Sequence, residues 1–250
     1  MENTDTPWYE CDEFWRELKP FLFSLERWES TSEQVTQIIA LLAIKGDDKI
    51  LDLCCGPGRH SLELAARGFN VTGVDRTSSY LKEASEKAKS MGVEVEFIQE
   101  DMRKFCRPDS FDVALNMFSS FGYFEGPADD RNVLLNIYQS LKEGGKLLIE
   151  MMGKEILARD FLKRDWVEEN GITLLEEREI SSDWTRIDNR WIVIKGNKRK
   201  EFRFSLHLYS GAELTQLLSD SGFSSVEIFG DLLGSPYNNE AKRLVAIACK

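Results

Sequence analysis

One segment, Lys49-Ile-Leu-Asp-Leu-Cys-Cys-Gly-Pro-Gly-Arg-His60, restricts this chain more than any other. Ile50, Leu51 and Leu53 form the apolar run of a strand covered on both faces. Gly56 and Gly58 bracket Pro57, so the backbone turns sharply and comes close to whatever lies beside it. Leu62, Leu64, Ala65 and Ala66 then supply the apolar face of a helix ending near Gly68. The free N–H groups at that helix start, with its positive dipole end, point into the turn. Strand–turn–helix units also occur without a ligand, so a ligand has to be argued from other residues.

Apolar and polar residues predict alternating strands and helices over the first 150 residues, the mark of a parallel sheet covered by helices on both faces. Helices are expected at 11–28 and 32–43, then strand 49–53, helix 59–67, strand 70–74, helix 78–90 and strands 94–99 and 111–116. A helix over 128–141 meets a stop at Gly144-Gly145 before strand 146–151. From 172 to 208 the alternation becomes that of antiparallel strands (173–180, 184–194, 201–208), with turn chemistry at Asp188-Asn189 and Gly196-Asn197. The α/β rhythm returns with helix 212–221 and strands 226–229 and 244–249. The expected fold is α/β: a doubly wound, Rossmann-like seven-stranded sheet with an inserted antiparallel β subdomain. Its parts are an N-terminal helical segment (1–44), the sheet domain (45–152 and 210–250) and a β-rich insertion (153–209) capping the substrate side.

A net charge of −11 argues against a broad nucleic-acid footprint, which needs a basic face. The one basic run, Lys195-Gly-Asn-Lys-Arg-Lys200, reads more simply as a solvated hairpin turn. No apolar stretch has membrane-spanning length, and residues 1–7 lack the basic start and apolar core of a signal peptide. Cys11, Cys54, Cys55, Cys106 and Cys249 contain no C-x-x-C pair, which suits reduced thiols in the cytoplasm. With two histidines in the chain, no metal centre is expected.

Asp75 closes the second strand beside the glycine turn, and a carboxylate there can accept hydrogen bonds from two vicinal ribose hydroxyls. The ligand is therefore a nucleoside. The dinucleotide pattern is incomplete, because Ser61 stands at the third glycine position. Asp52 on strand one and Glu100-Asp101 after strand three add negative charge that a pyrophosphate would not favour. A cationic amine, a sulfonium and an exocyclic adenine N–H donor would.

On these residues the chain resembles the class I S-adenosylmethionine-dependent methyltransferases. Asp52-x-Cys54-x-Gly56-x-Gly58 matches their first motif, with cysteine where glycine is usual. Asp75 matches the second motif, Asp101-Met102 the third, and Leu141-Lys-Glu-Gly-Gly-Lys-Leu-Leu-Ile149 the turn into strand five. The resemblance covers about 45–152 and implies S-adenosylmethionine as cofactor, with S-adenosylhomocysteine as product. It implies that Asp52, Cys54, Gly56 and Gly58 hold the methionyl end and that Asp75, with Arg76 beside it, takes the ribose. Asp101 and Met102 would then read the adenine, while Asn116, Met117 and Phe118 line the sulfonium end. Cys54 narrows the turn slightly and leaves its backbone groups available. Arg59 and His60, on the first helical turn, read as supports of the turn.

Methyl transfer is an in-line displacement that depends on alignment and dryness more than on a strong base. Three side chains stand out on the acceptor side. Tyr123 sits in the aromatic loop Phe118-Ser-Ser-Phe-Gly-Tyr-Phe124, and Tyr9 in the N-terminal segment that covers the cofactor in related enzymes. His207 lies in Arg203-Phe-Ser-Leu-His-Leu-Tyr209, where alternation puts Phe204, Leu206 and Leu208 on one face and Arg203, His207 and Tyr209 on the other. The expected acceptor is N or O of a small molecule, used by a monomer or homodimer. RNA methylation, a non-catalytic binding module and an NAD-dependent dehydrogenase are the other readings; the acidity and Asn116-Met-Phe-Ser after strand four disfavour RNA.

Overall fold

The computed structural model describes residues 6–250; Met1–Asp5, which the signal-peptide reading and the 1–44 segment include, lie outside the described residues. Strand β1 (Lys49–Leu53) runs through the centre of the molecule, with Ile50, Leu51 and Leu53 exposed by 2% or less. Burial of such side chains contributes about 1.5–3 kcal/mol each, so this strand anchors the sheet. Beside it lie β2 (Asn70–Asp75) and β3 (Glu96–Gln99) on one flank, and β4 (Phe111–Asn116) and β5 (Leu141–Met151) on the other. These five are parallel, and β11 (Leu244–Cys249) adds antiparallel to β5, with β10 (Ser225–Phe229) at the edge. The order β10-β11-β5-β4-β1-β2-β3 is that of a Rossmann-like sheet. Its linking helices are α4 (Arg59–Ala66), α5 (Ser78–Met91), α6 (Pro127–Ser140) and α8 (Gly211–Asp220). Ser210 and Glu213 close α8 with a reciprocal capping box.

The expected helix over 11–28 is two helices, α1 (Asp12–Leu22) and α2 (Leu25–Glu29). α1 runs on through Pro20, and the break falls at Ser24, which is extended at ψ 162°. α3 (Thr31–Leu42) follows, ending on left-handed Ala43. Gly144-Gly145 does not stop a helix. α6 already ends at Ser140, β5 begins at Leu141, and the glycines sit where its register with β4 shifts.

After the short helix α7 (Lys154–Asp160), a separate antiparallel sheet is built from β6 (Arg164–Glu169), β7 (Ile172–Ile180), β8 (Arg186–Lys195) and β9 (Lys198–His207). α7 and β6 are absent from the sequence reading. β6 is an exposed, charged edge strand held by pairing with β7, and such a strand carries no apolar alternation to betray it. Asp188-Asn189 is not a turn: both residues pair within β8, opposite Glu179 and Arg178. The reversal falls at 181–185, where the Asp183 carboxylate accepts hydrogen bonds from the Ser181 and Thr185 hydroxyls. Gly196-Asn197 does link β8 to β9. Phe14, Leu18 and Phe21 of α1 pack on Leu174, Val193 and Phe204, so the N-terminal helices join the second sheet to the first.

No helix among the described residues is long and apolar enough to cross a membrane. Among the same residues no cluster of His, Cys, Asp or Glu could hold a metal ion.

Candidate active site

The carboxyl ends of β1, β2 and β4 open into a cavity of about 690 Å³, within the roughly 300–1,000 Å³ of small-molecule sites. Its other walls are α1 and α2, the loop after β4, and the inner face of β7–β9. A second hollow of about 810 Å³ lies by Gly68, Val95 and Phe97 and contains none of the motif residues. Open α/β sheets bind ligands beyond the carboxyl ends of their strands, which singles out the first.

Cys54, Gly56, Asp75, Arg76, Asp101, Met102, Phe118, Tyr9, Tyr123 and His207 all line this cavity. Asp52, Gly58 and Asn116 do not: they stand behind its wall. The Asp52 carboxylate is 1% exposed and accepts the Ser61 hydroxyl at 2.6 Å, so Ser61, in place of a third glycine, serves the turn from inside. Burial pushes the Asp52 carboxyl up to about 6, against the Ser61 hydrogen bond and the Arg59 charge. Asn116 donates to the Leu53 carbonyl, and its buried Oδ1 has no partner among the described residues.

The turn depends on left-handed backbone. Gly56 takes φ 57°, and a Cβ there would meet the Phe23 ring at 2.8 Å, so this glycine lets α1 close over the turn. Cys54, at the position usually held by glycine, also takes φ 64°. The cysteine therefore preserves the backbone path at a strain of about 1–2 kcal/mol. Its thiol lies 3.4 Å from the Met102 sulfur, and burial raises its pKa well above normal, leaving an inert wall.

Asp75 fastens the turn to β2. One carboxylate oxygen accepts from Gly56 N–H and the other from Thr77 N–H, each at 2.8 Å. Burial nevertheless raises its pKa, only partly offset by those bonds. Each oxygen keeps a second lone pair. Asp101 is held differently: Arg103 grips both of its oxygens, at 2.5–3.1 Å. Burial works to raise the Asp101 carboxyl, and the Arg103 bonds outweigh it and keep it below the usual range. The sequence reading missed Arg103, whose guanidinium also lies 4.7 Å from the Phe124 ring centre and 5.3 Å from that of Tyr9. Its position two residues after Asp101 was the available signal. Arg76 donates to the backbone carbonyls of Tyr9 and Glu10, tying the N-terminal segment down across the cavity.

On the far wall, β9 is clipped to the aromatic loop. His207 N–H donates to the Gly122 carbonyl at 2.7 Å, and Gly122 is left-handed at φ 89°. The His207 ring stacks on Tyr209 at 4.5 Å, and the Tyr209 hydroxyl donates to buried Asp130 at 2.7 Å. Burial, then Arg186 and Lys154, lower the His207 pKa below 6.5, so the imidazole is neutral at pH 7. Burial raises the Tyr123 and Tyr9 phenols, which stay protonated. His60 is buried, 3.3 Å from Gln34 Oε1, and takes no part in the cavity wall.

Fold and site together define an α/β protein with a nucleoside-type cavity at the carboxyl edge of a Rossmann-like sheet. Residues 50–145 match the family described as a methyltransferase domain. A relative from Geobacillus sp. (strain WCH70), which carries a provisional methyltransferase name, is 28% identical over 82% of this chain and 86% of its own. Among solved structures, an S-adenosylmethionine-dependent methyltransferase from Clostridium acetobutylicum ATCC 824 superposes with TM-score 0.76 at 17% identity, over 95% of this chain and 98% of that one. CalS10, an amino pentose methyltransferase from Micromonospora echinaspora solved with S-adenosylmethionine bound, gives TM-score 0.62 at 22% identity over 100% and 99%. Over residues 50–145 the chain thus matches a methyltransferase domain, and the comparisons support a class I S-adenosylmethionine-dependent methyltransferase.

Proposed function

We propose that this protein transfers a methyl group from S-adenosylmethionine to N or O of a small-molecule acceptor held between the glycine turn and the second sheet. One observation carries the reading: a single cavity joins the motif residues Cys54, Asp75, Asp101 and Met102 to an aromatic chamber of Trp8, Trp15, Tyr123, Trp191 and Phe204. That enclosure suits a small acceptor and excludes water from the reacting atoms. A net charge of −11 disfavours an RNA backbone as the acceptor.

The residues present suit the cofactor. The lining acids Asp75, Glu100 and Asp101 complement a cationic ligand. When bound, S-adenosylmethionine supplies a methyl group on positively charged sulfur, already attached to a good leaving group. Asp75 takes the ribose hydroxyls with its free lone pairs. Asp101, oriented by Arg103, accepts the adenine amino group, and Met102 packs on the ring. Asp52 supports the methionyl end through the turn it braces. For a hydroxyl acceptor, His207 receives the proton, because its imidazole is neutral while both tyrosines stay protonated. The segment 1–44 acts as the cover, and 153–209 as the acceptor-side wall.

Calorimetry with S-adenosylhomocysteine and NAD should give micromolar binding of the first and none of the second; the reverse would sink the reading. A methyl-transfer screen over amines, hydroxy compounds and RNA then separates the acceptor classes. With a hydroxyl acceptor, His207→Gln should lower kcat on the order of 100-fold. Activity of the parent should fall with acid below pH 6.5, as the imidazole gains its proton, and that limb should vanish in the variant. An unaltered pH profile would remove His207 from the role.

A further inference from the structure

The second sheet has an open edge. β6 pairs with β7 on one side, and no strand among the described residues lies on the other. In an antiparallel ladder, residues that exchange hydrogen bonds alternate with residues whose N–H and C=O groups point away. Arg178 N–H donates to the Lys163 carbonyl at 2.9 Å, which assigns Lys163, Asp165, Val167 and Glu169 to the β7 ladder. The backbone groups of Arg164, Trp166 and Glu168 therefore point to the free edge. The Trp166 N–H is met there by the carboxylate of adjoining Asp165, at 2.8 Å. The Trp166 side chain is 64% exposed. An unpaired edge carrying a bare tryptophan is a template for another strand.

The charges name that strand. Laid antiparallel against itself about Trp166, the segment Lys163-Arg-Asp-Trp-Val-Glu-Glu169 is self-complementary. Arg164 of one copy meets Glu168 of the other, Lys163 meets Glu169, and two-fold symmetry repeats both pairs. This register also hydrogen-bonds Arg164, Trp166 and Glu168, the residues whose backbone groups face the edge. A slip of one residue would set outward groups against inward ones. A slip of two sets Asp165 against Asp165, or Asp165 against Glu169, which like charge opposes. Lys163 and Glu168 form no ion pair among the described residues, so both charges are available. On the outer face Trp166 stands opposite Leu175, and Leu175 opposite Ile192. Two copies would join these rows into one apolar stripe across the axis.

We propose that β6 is a homodimer interface, at which two copies of this chain pair antiparallel about Trp166 and fuse their second sheets into one. Val167 and Glu169, on the inner face of β6, line the cavity. Pairing therefore closes the free edge of that wall and brings Lys163 of the second copy to Glu169.

Sedimentation velocity of the full chain over a range of concentrations tests this. The parent should dimerise in the micromolar range, as befits a small interface. Arg164→Glu opposes acid to acid at both symmetric positions, and Glu168→Lys opposes base to base. Each alone should weaken dimerisation about tenfold or more, with matched thermal melts to show that it is folded. An equimolar mixture of the two variants should dimerise again, because every like-charged contact becomes an opposite one. A parent that stays monomeric into the millimolar range would overturn the assignment. So would a dimer that the charge reversals leave intact, or two weakened variants whose mixture fails to recover, since either would place the contact elsewhere.

Discussion

Asp75→Ala should weaken S-adenosylhomocysteine binding by roughly 1.5–3 kcal/mol, about 10- to 100-fold, the range for hydrogen bonds to a charged group. Asp75 carries two loads. Its oxygens already tie Gly56 and Thr77 N–H groups to the end of β2, and the same oxygens have lone pairs left for a ribose. Alanine removes both functions, so thermal stability should also fall by several degrees as two N–H groups lose their acceptor. Asparagine is no remedy, because its NH₂ would face one of those N–H donors. Titration calorimetry beside thermal melts separates the two effects. A variant that loses stability and keeps full affinity would show that Asp75 braces the turn without touching the cofactor.

Gly122→Ala should cost about 2–3 kcal/mol of stability, as a non-glycine forced into a rare backbone region. The position has φ 89°, and a Cβ there would lie 2.7 Å from the His207 carbonyl oxygen, a backbone atom that cannot swing aside. Relief requires the aromatic loop to part from β9, displacing Tyr123 and His207 together. Methyl transfer should therefore drop by tenfold or more. S-adenosylhomocysteine affinity should change less than about twofold, since Asp75 and Asp101 stand on other elements. Denaturant unfolding, turnover and calorimetry on one preparation test this. A variant of parental stability, or one that loses cofactor affinity as steeply as turnover, would show that the Gly122–His207 clip does not organise the acceptor wall.

Much of the molecule is legible along the chain because the determinants are local. β1, its glycine turn and α4 follow from the eighteen adjacent residues 49–66, and Asp75 and Asp101 follow from strand ends that repeat the same geometry. Two departures in secondary structure share one cause, pairing with another strand. β6 is a strand because β7 offers it a ladder, and Asp188-Asn189 is straight because both sides of β8 are paired. Asp52 looked like a ligand by motif, and the fold gives its carboxylate to Ser61. Arg103 went unnoticed because, although Asp101 stands two residues before it, only the fold brings its guanidinium to the Tyr9 and Phe124 rings.

By itself the sequence determined the central sheet, the glycine turn and the positions of the acids around it. Periodicity, glycine freedom and carboxylate spacing act within a strand and its neighbour, so they are written in consecutive residues. Only the tertiary structure decided what surrounds that turn. It set which acids reach the cavity and how α1 and the second sheet enclose an aromatic chamber. Those properties depend on contacts between segments that are not adjacent in the sequence, where burial and the competition for hydrogen-bond partners settle each side chain's place.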